Sequence, residues 1–231
     1  MQNKENWAID QTWKNGWLEA AADFENFRNH PYGEGVVENT PEWWINKYLD
    51  YFRSLPLMKH KEKFRKSDLF GNPKTFEFEG LGRFAPTTLR YVMTLESIRK
   101  TFGNLTGMTI AEIGAGYGGL CKIIHDVFKP KEYVLFDLPE VIELQKTFLG
   151  KFGITPQVNM MPEKVDLVIA TNSWSELNQQ SREQYYDYVI KPSKHGFFFL
   201  NDNVPACIEI LLRDKTLRPD GIIEWYPTFV F

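Results

Sequence analysis

One stretch of the sequence carries most of its chemical potential. Glu112-Ile113-Gly114-Ala115-Gly116-Tyr117-Gly118-Gly119 follows the apolar run TIAEI and opens an amphipathic segment. Glycines permit a tight turn and close approach of backbone to a ligand, and a following helix N-terminus offers free N–H groups and partial positive charge. A second element is Asp137 in YVLFDLPEV, 23 positions after Gly114. An acidic side chain ending the second strand of such a unit can accept both hydroxyls of a ribose, which implies a nucleoside-containing cofactor. The same carboxylate would also cap a helix beginning at Pro139, and the two roles are compatible. Glu112 lies two residues before the first glycine, where it could meet the amino group of an amino-acid cofactor tail.

Other reactive side chains are scattered. Glu176 in SWSEL follows a strand-like run and is a candidate general base, with a helix cap or N-terminal helix charge as the competing role. Arg83 and Arg90 flank the glycine-containing stretch GLGRFAPTTLRY and could clamp an anionic group. His125 shares an apolar pattern with Cys121 and Phe128 and reads as packing; His195 precedes a strand at the wrong sheet edge. His30 and His60 reach a pocket only if the N-terminal segments fold over it. The basic run Lys59 to Lys66 reads as a solvated helix face.

The elements that must position these groups change character near Gly107. Downstream, short apolar runs near 109–113, 132–136, 155–159, 165–170 and 196–200 alternate with helical segments near 118–128, 139–150 and 178–190. That alternation specifies a parallel sheet with crossover helices. One more helix is expected after Pro205 through Leu212, and the terminal IIEWYPTFVF is β-prone around Pro227. Upstream, Trp13, Trp17, Ala20, Phe24 and Phe27 form one helical stripe. A second helix starts at Thr40-Pro41-Glu42, with Thr40 as cap and Trp44, Tyr48, Tyr51, Phe52 and Leu55 as its buried face. A third, capped by Thr87 or Thr88, runs to about Phe102. The division is an N-terminal helical region at 1–103, expected to cover the site, and an α/β core at 104–231.

Composition excludes several classes. With 231 residues and 43% hydrophobic content the chain buries a core, and 27 basic against 30 acidic residues give no basic face for nucleic acid. Two cysteines are too few for a disulfide scaffold, and no apolar run approaches the ~18 residues of a membrane span. A soluble cytoplasmic protein is expected. Aromatic residues reach 15%, enough to build a core and also to line a pocket for an amphipathic ligand.

Together AEIGAGYGG, YVLFDLPEV and DLVIATNSWSEL resemble the class I S-adenosylmethionine-dependent methyltransferases, and DLPEV and SWSEL resemble their sugar O-methyltransferase group. The similarity covers roughly residues 78 to 201. It implies a Rossmann-like three-layer α/β sandwich with S-adenosyl-L-methionine as cofactor. Glu112, Gly114, Ala115, Gly116 and Gly118 would surround its methionine part, Asp137 its ribose and Leu138 its adenine. The family's polar contact to the adenine falls at Asn159-Met160-Met161, so Asn159 or a main-chain group must serve. Thr171, Asn172 and Ser173 would lie beside the sulfonium and the acceptor. Tyr117, Trp174, Arg83 and Arg90 are candidate substrate contacts, and Glu176 and Asp202 candidate catalytic groups.

The catechol type of methyltransferase binds magnesium through an Asp-Asn pair like that in Asn201-Asp202-Asn203, together with an aspartate where this chain has Asn172. The missing charge argues against a metal here. The acceptor implied is a sugar or sugar-bearing metabolite. Alternatives are another small acceptor (a phenol, a carboxylate or an amine), with or without magnesium, and an inactive cofactor-binding scaffold. The family's core ends in an antiparallel hairpin, and the short stretch after Asn203 leaves its last strand either missing or donated by a second subunit of a homodimer.

Overall fold

The computed structural model describes residues 11–36, 38–201, 204–219 and 228–231. In chain order the elements are α1 (Gln11–Ala21), α2 (Pro31–Val36), α3 (Glu42–Lys47), α4 (Leu49–Ser54), α5 (Lys61–Arg65), β1 (Phe76–Phe78), β2 (Gly82–Phe84), α6 (Pro86–Phe102), β3 (Thr109–Ile113), α7 (Gly119–Val127), β4 (Glu132–Phe136), α8 (Pro139–Gly150), β5 (Gln157–Val158), β6 (Leu167–Thr171), α9 (Ser173–Glu176), α10 (Gln179–Tyr185), β7 (His195–Phe199), α11 (Val204–Leu211), β8 (Arg218–Pro219) and β9 (Thr228–Val230).

Seven strands form one sheet in the order β5-β4-β3-β6-β7-β9-β8. The pairs from β5 to β7 are parallel, and β9 runs antiparallel to both β7 and β8. The fold is therefore a Rossmann-like three-layer α/β sandwich. The central strands TIAEI, LVIAT and HGFFF are almost wholly buried, as strands covered on both faces must be. One face carries Ile110, Leu135, Leu167 and Phe197 beneath α6, α7 and α8; the other carries Ala111, Val134, Val168 and Phe198 beneath α9, α10 and α11. The strand β9 lies within this chain, between β7 and β8, so the expectation of a missing or donated last strand is corrected. Backbone bonds between Gly196 and Phe231, 3.1 and 3.2 Å, extend that pairing to the final residue. No helix among the described residues is long and apolar enough to cross a membrane.

The N-terminal residues pack into the same hydrophobic cluster as the first sheet face. Their helices are shorter than the periodicity predicts. The helix α1 stops at Ala21, so Phe24 and Phe27 ride on a turn, and Trp17 meets Tyr32 edge-on at 5.7 Å. The side chain of Trp13 lies outside the described residues. The predicted second helix breaks at Tyr48 into α3 and α4, with Trp44, Phe52 and Leu55 still buried. Thr40 caps nothing: its hydroxyl accepts from Arg90 Nε at 2.9 Å. Thr87 and Thr88 lie inside α6, whose preceding amide at Ala85 is instead bonded by Asp68 Oδ2 at 2.9 Å. From Pro86 to Ile98 every residue of α6 is buried, so this helix is a strut between the N-terminal elements and α7.

A buried cation ties these parts together. Arg28 is 1% exposed; its Nε donates to Glu38 Oε1 at 2.6 Å, and its Nη1 to Ser67 O at 3.0 Å and Asp68 Oδ1 at 3.1 Å. Its guanidinium stands 5.0 Å from the centre of the Tyr117 ring in the glycine turn. The same residue's amide bonds Gly71 O at 2.9 Å. Replacing Arg28 with Met leaves two buried carboxylates without their cation, an expected loss of about 3–5 kcal/mol. Urea unfolding of Arg28→Met checks this; a loss under about 1 kcal/mol, the scale of a surface pair, would show that the cluster contributes little.

Candidate functional site

The sheet reverses its winding between β3 and β6, the place where open α/β sheets bind ligands beyond their strand ends. The chain leaves β3 through Gly114 (φ 67°), Gly116 (φ 57°) and Gly118 (φ 91°) before entering α7. At Gly114 a glycine is obligatory for a second reason: a Cβ there would stand 2.3 Å from Ser173 Cβ, at the end of the neighbouring strand. Ser173 Oγ in turn donates to Ile113 O at 2.5 Å, locking the β6 turn to the β3 turn. Ala115 is buried within the turn.

Asp137, just past β4, is hydrogen-bonded into that turn. Its Oδ2 accepts from Gly116 N at 3.1 Å and Gln145 Nε2 at 2.8 Å, and its Oδ1 from Leu138 N at 2.8 Å. The Ala115 amide also donates to this carboxylate, so its acceptor sites are taken up by the turn, Leu138 and Gln145. Burial pushes the acid up to about 7, against the pull of those donors. Gln145 also donates to Gly116 O at 2.8 Å, so one amide bridges the turn and the acid. Asn159, with φ 47°, spends its side chain on the backbone of Asp137: Oδ1 accepts from Asp137 N at 3.1 Å and Nδ2 donates to Asp137 O at 3.0 Å. That amide is committed, and the exposed Met160 and Met161 follow it.

Glu112 takes a different place from the one expected beside an amino group. Its carboxylate is 1% exposed and accepts from Tyr133 OH at 2.8 Å, on the sheet face under α7. Burial raises its pKa to about 8, with the Tyr133 hydrogen bond opposing and the charge of Asp137 adding to the rise. Behind it His125 packs on Tyr133 at 5.4 Å and holds Cys121 O through Nδ1 at 2.8 Å, the packing role expected of it.

The end of β6 is built differently. Thr171 is half-buried, and Asn172 turns with φ 65°, its amide donating to Phe199 O at 2.6 Å. Its Oδ1 is buried without a partner among the described residues. Ser175 Oγ donates to Asn172 O at 2.7 Å and accepts from Asn201 N at 3.2 Å, and Asn201 Nδ2 donates to Glu176 Oε1 at 2.9 Å. Burial raises the Glu176 pKa, and the Asn201 bond lowers it.

Several expected contacts fall elsewhere. Tyr117 is fully buried between Phe27 (5.2 Å) and Phe148 (4.8 Å), so it is a core residue and presents nothing to an acceptor. Trp174 is also fully buried, with its indole N–H on Cys207 O at 2.9 Å, and anchors α11. Arg83 and Arg90 do not converge as a clamp: Arg83 points to solvent beside Thr75 and Glu77, while Arg90 is buried on Thr40 and Tyr91. Arg83 lies on β2 and Arg90 on α6, which separates the two. Asp202, Asn203 and Pro227 lie outside the described residues. Among the described residues no group of three or more His, Cys, Asp or Glu side chains could hold a metal ion. Arg28, Gln145, Ser175 and the pairing of Asn201 with Glu176 were not anticipated. Gln145 alone had a signal, a polar residue on the apolar stripe Val141, Leu144, Phe148 and Leu149.

No protein-family model and no curated protein sequence matches the chain. Solved structures with similar architecture include a S-adenosylmethionine-dependent methyltransferase from Clostridium acetobutylicum (18% identity, 48% of this chain and 49% of that one, TM-score 0.40). This match spans about half the length of that protein. Others are a methyltransferase from Pyrococcus furiosus (12% identity, 69% and 85%, TM-score 0.47) and magnesium protoporphyrin IX methyltransferase from Synechocystis PCC 6803, with bound S-adenosylmethionine (13% identity, 80% and 93%, TM-score 0.47). The fold assignment rests on the strand order and the parallel crossovers.

The raised acids have a consequence for stability. A carboxyl whose folded pKa exceeds its unfolded value binds more protons when folded, so stability is lost as pH rises through the interval between the two. For Glu112 that interval runs from 4.5 to about 8. Chemical denaturation from pH 5 to 8 is expected to show declining stability. Glu112→Gln should flatten the decline by on the order of a few kcal/mol; an unchanged slope would assign the effect elsewhere.

Proposed function

We propose that the protein is an S-adenosylmethionine-dependent O-methyltransferase acting on a hydroxyl of a sugar or a sugar-bearing metabolite. The observation that carries this reading is the hydrogen-bonded unit of glycine turn and acid at the sheet's switch point, Gly116 N on Asp137 Oδ2 at 3.1 Å, with Glu176 at the end of the next strand.

The residues present fit the cofactor. Left-handed glycines leave the turn without side chains over its outer surface, so the main chain of Gly114, Ala115, Gly116 and Gly118 would hold the amino-acid part. Asp137 accepts from Gly116, Ala115, Leu138 and Gln145, so contact with the ribose hydroxyls requires Gln145 to yield its place on the carboxylate. Leu138 would lie beside the adenine. With the Asn159 side chain committed to Asp137, the polar contact to the base falls to the main chain there. When bound, S-adenosylmethionine supplies an electrophilic methyl group on a sulfonium.

The chain's own residues supply orientation and a proton acceptor. An aliphatic hydroxyl becomes a better nucleophile as its proton leaves, and Glu176 is placed to take that proton. Burial moves this acid toward neutrality, which strengthens it as a base, and Asn201 holds one of its oxygens so that the other is presented. Thr171, Asn172 and Ser173 form the floor between base and glycine turn. The N-terminal helices contribute cover: α1 lies along α8, with Lys14 paired to Glu140 at 3.1 Å, two residues beyond Leu138.

Calorimetry with S-adenosylhomocysteine tests the cofactor half. Asp137 with its acid near 7 accepts hydroxyls best when ionised, so affinity is expected to rise between pH 5.5 and 8 and level off above. Asp137→Ala should lower affinity at pH 8 at least tenfold and abolish the pH dependence. Binding of NAD in place of S-adenosylhomocysteine would refute the proposal. Glu176→Gln should reduce methyl transfer to an accepted glycoside by about 10²–10⁴-fold with cofactor affinity nearly unchanged; full activity would remove it as base.

A further inference from the structure

Two arginines among the described residues are buried, Arg28 and Arg90, and only the first has counter-ions. Arg28 is enclosed by Glu38 and Asp68. Arg90, on α6, is 7% exposed, and its one hydrogen bond runs from Nε to the neutral hydroxyl of Thr40 at 2.9 Å. It has no ion-pair partner among the described residues. The acids of the Arg28 cluster are committed: Glu38 to Arg28, and Asp68 to Arg28, to the Thr88 hydroxyl at 2.6 Å and to the Ala85 amide at 2.9 Å. A charge this deeply buried is ordinarily paired, because leaving water costs it several kcal/mol.

Arg90 stands next to the glycine turn. Its guanidinium carbon is 4.8 Å from the centre of the Tyr91 ring, and that ring packs on the turn. The Tyr91 and Tyr117 ring centres are 6.2 Å apart, and a Cβ on Gly119 would stand 2.4 Å from Tyr91 Cε2. With Nε fixed by Thr40, the free edge of the guanidinium is its pair of terminal nitrogens. These have no partner among the described residues and, unlike the sealed indole N–H of Trp44, they keep contact with solvent. A ligand can therefore reach them.

We infer that Arg90 forms an oxyanion site beside the glycine turn and that its ligand is a carboxylate. Two parallel N–H donors match the two oxygens of a carboxylate. Only one cation is available, since Arg28 is spent on Glu38 and Asp68, so a single negative charge is balanced and a phosphate dianion would be left in excess. Arg83, exposed on β2, takes no part. A carboxylate at this place has two sources. One is the amino-acid tail of the methyl donor, which rests on the methyltransferase reading; the other is a separate organic acid, which does not.

The test compares the full chain with Arg90→Met and Arg90→Lys. Calorimetry with S-adenosylhomocysteine and with its decarboxylated analogue, which keeps the nucleoside, sulfur and amine, reads the first source; titration with 13C-labelled acetate, followed by NMR line broadening, reads the second. Without ligand, Arg90→Met is expected to melt at or above the wild-type Tm, the opposite of Arg28→Met, because a buried charge without a counter-ion is removed. If the tail is the ligand, Arg90→Met weakens S-adenosylhomocysteine by about tenfold or more and the decarboxylated analogue by less than about twofold, with Arg90→Lys in between. If a separate acid is the ligand, S-adenosylhomocysteine affinity is unchanged and saturable acetate binding to the wild type is lost in Arg90→Met. Unchanged affinity for both S-adenosylhomocysteine and acetate, equal losses for S-adenosylhomocysteine and its analogue, or a Tm lowered by more than about 4 °C in Arg90→Met would each overturn the inference. Arg90→Lys keeps the charge and loses the fork, so it decides the binding arms should Arg90→Met not fold. Failure of the wild type to bind either nucleoside would remove the methyltransferase reading and leave the acetate arm to decide the site.

Discussion

The close approach of the β3 and β6 turns governs the rest of the site. Gly114 has no room for a Cβ because Ser173 occupies it, and Ser173 is bonded to Ile113 O in return. That contact fixes where β6 ends, and Asn172 must then turn left-handed to carry the chain into α9. The Ser175 hydroxyl and the Asn201 side chain fall into reach of each other and of Glu176 as a result. A cradle and a candidate base thus come from one steric fact, the absence of a side chain at one residue.

The other side of the glycine turn is held by a different force. Tyr117 points inward, and Arg28, Phe27, Tyr91 and Phe148 surround it. Arg28 is surrounded by Glu38, Asp68 and Thr88, so the N-terminal elements dock on the core through charge-assisted hydrogen bonds within an aromatic shell. Such a buried cluster adds less net stability than its bond count suggests, because three ionised groups leave water. It places the Phe24–Arg28 turn against Glu38, Asp68 and Thr88. Part of the aromatic excess is used here, in Phe27, Tyr91, Tyr117 and Phe148.

The core strands and crossover helices were legible because parallel strands buried on both faces are apolar throughout and short, and Pro139 and Pro86 mark helix starts. The N-terminal elements were legible only as helical stripes. They break at Ala21 and Tyr48, and after the first break the Arg28 amide bonds Gly71 O, a partner that no local pattern encodes. Tyr117 and Trp174 illustrate the same limit. An aromatic residue in a motif looks available from sequence, and its facing direction decides whether it meets solvent or core. Arg83 and Arg90, seven positions apart, diverge because one lies on a strand and the other on a helix.

By itself the sequence determined the α/β class, the glycine turn, the acid after β4 and the carboxylate after β6, since each depends on residue type and short spacing. Only the tertiary structure decided which atoms those groups hold. Glu112 went to Tyr133, Asn159 to the backbone of Asp137, Gln145 to the turn and Asn201 to Glu176. The physical reason is range. Turn and helix preferences act over a few residues, whereas a buried polar group takes whichever partner the packed sheet brings within hydrogen-bond distance, and those partners lie 8 to 29 positions away in the chain.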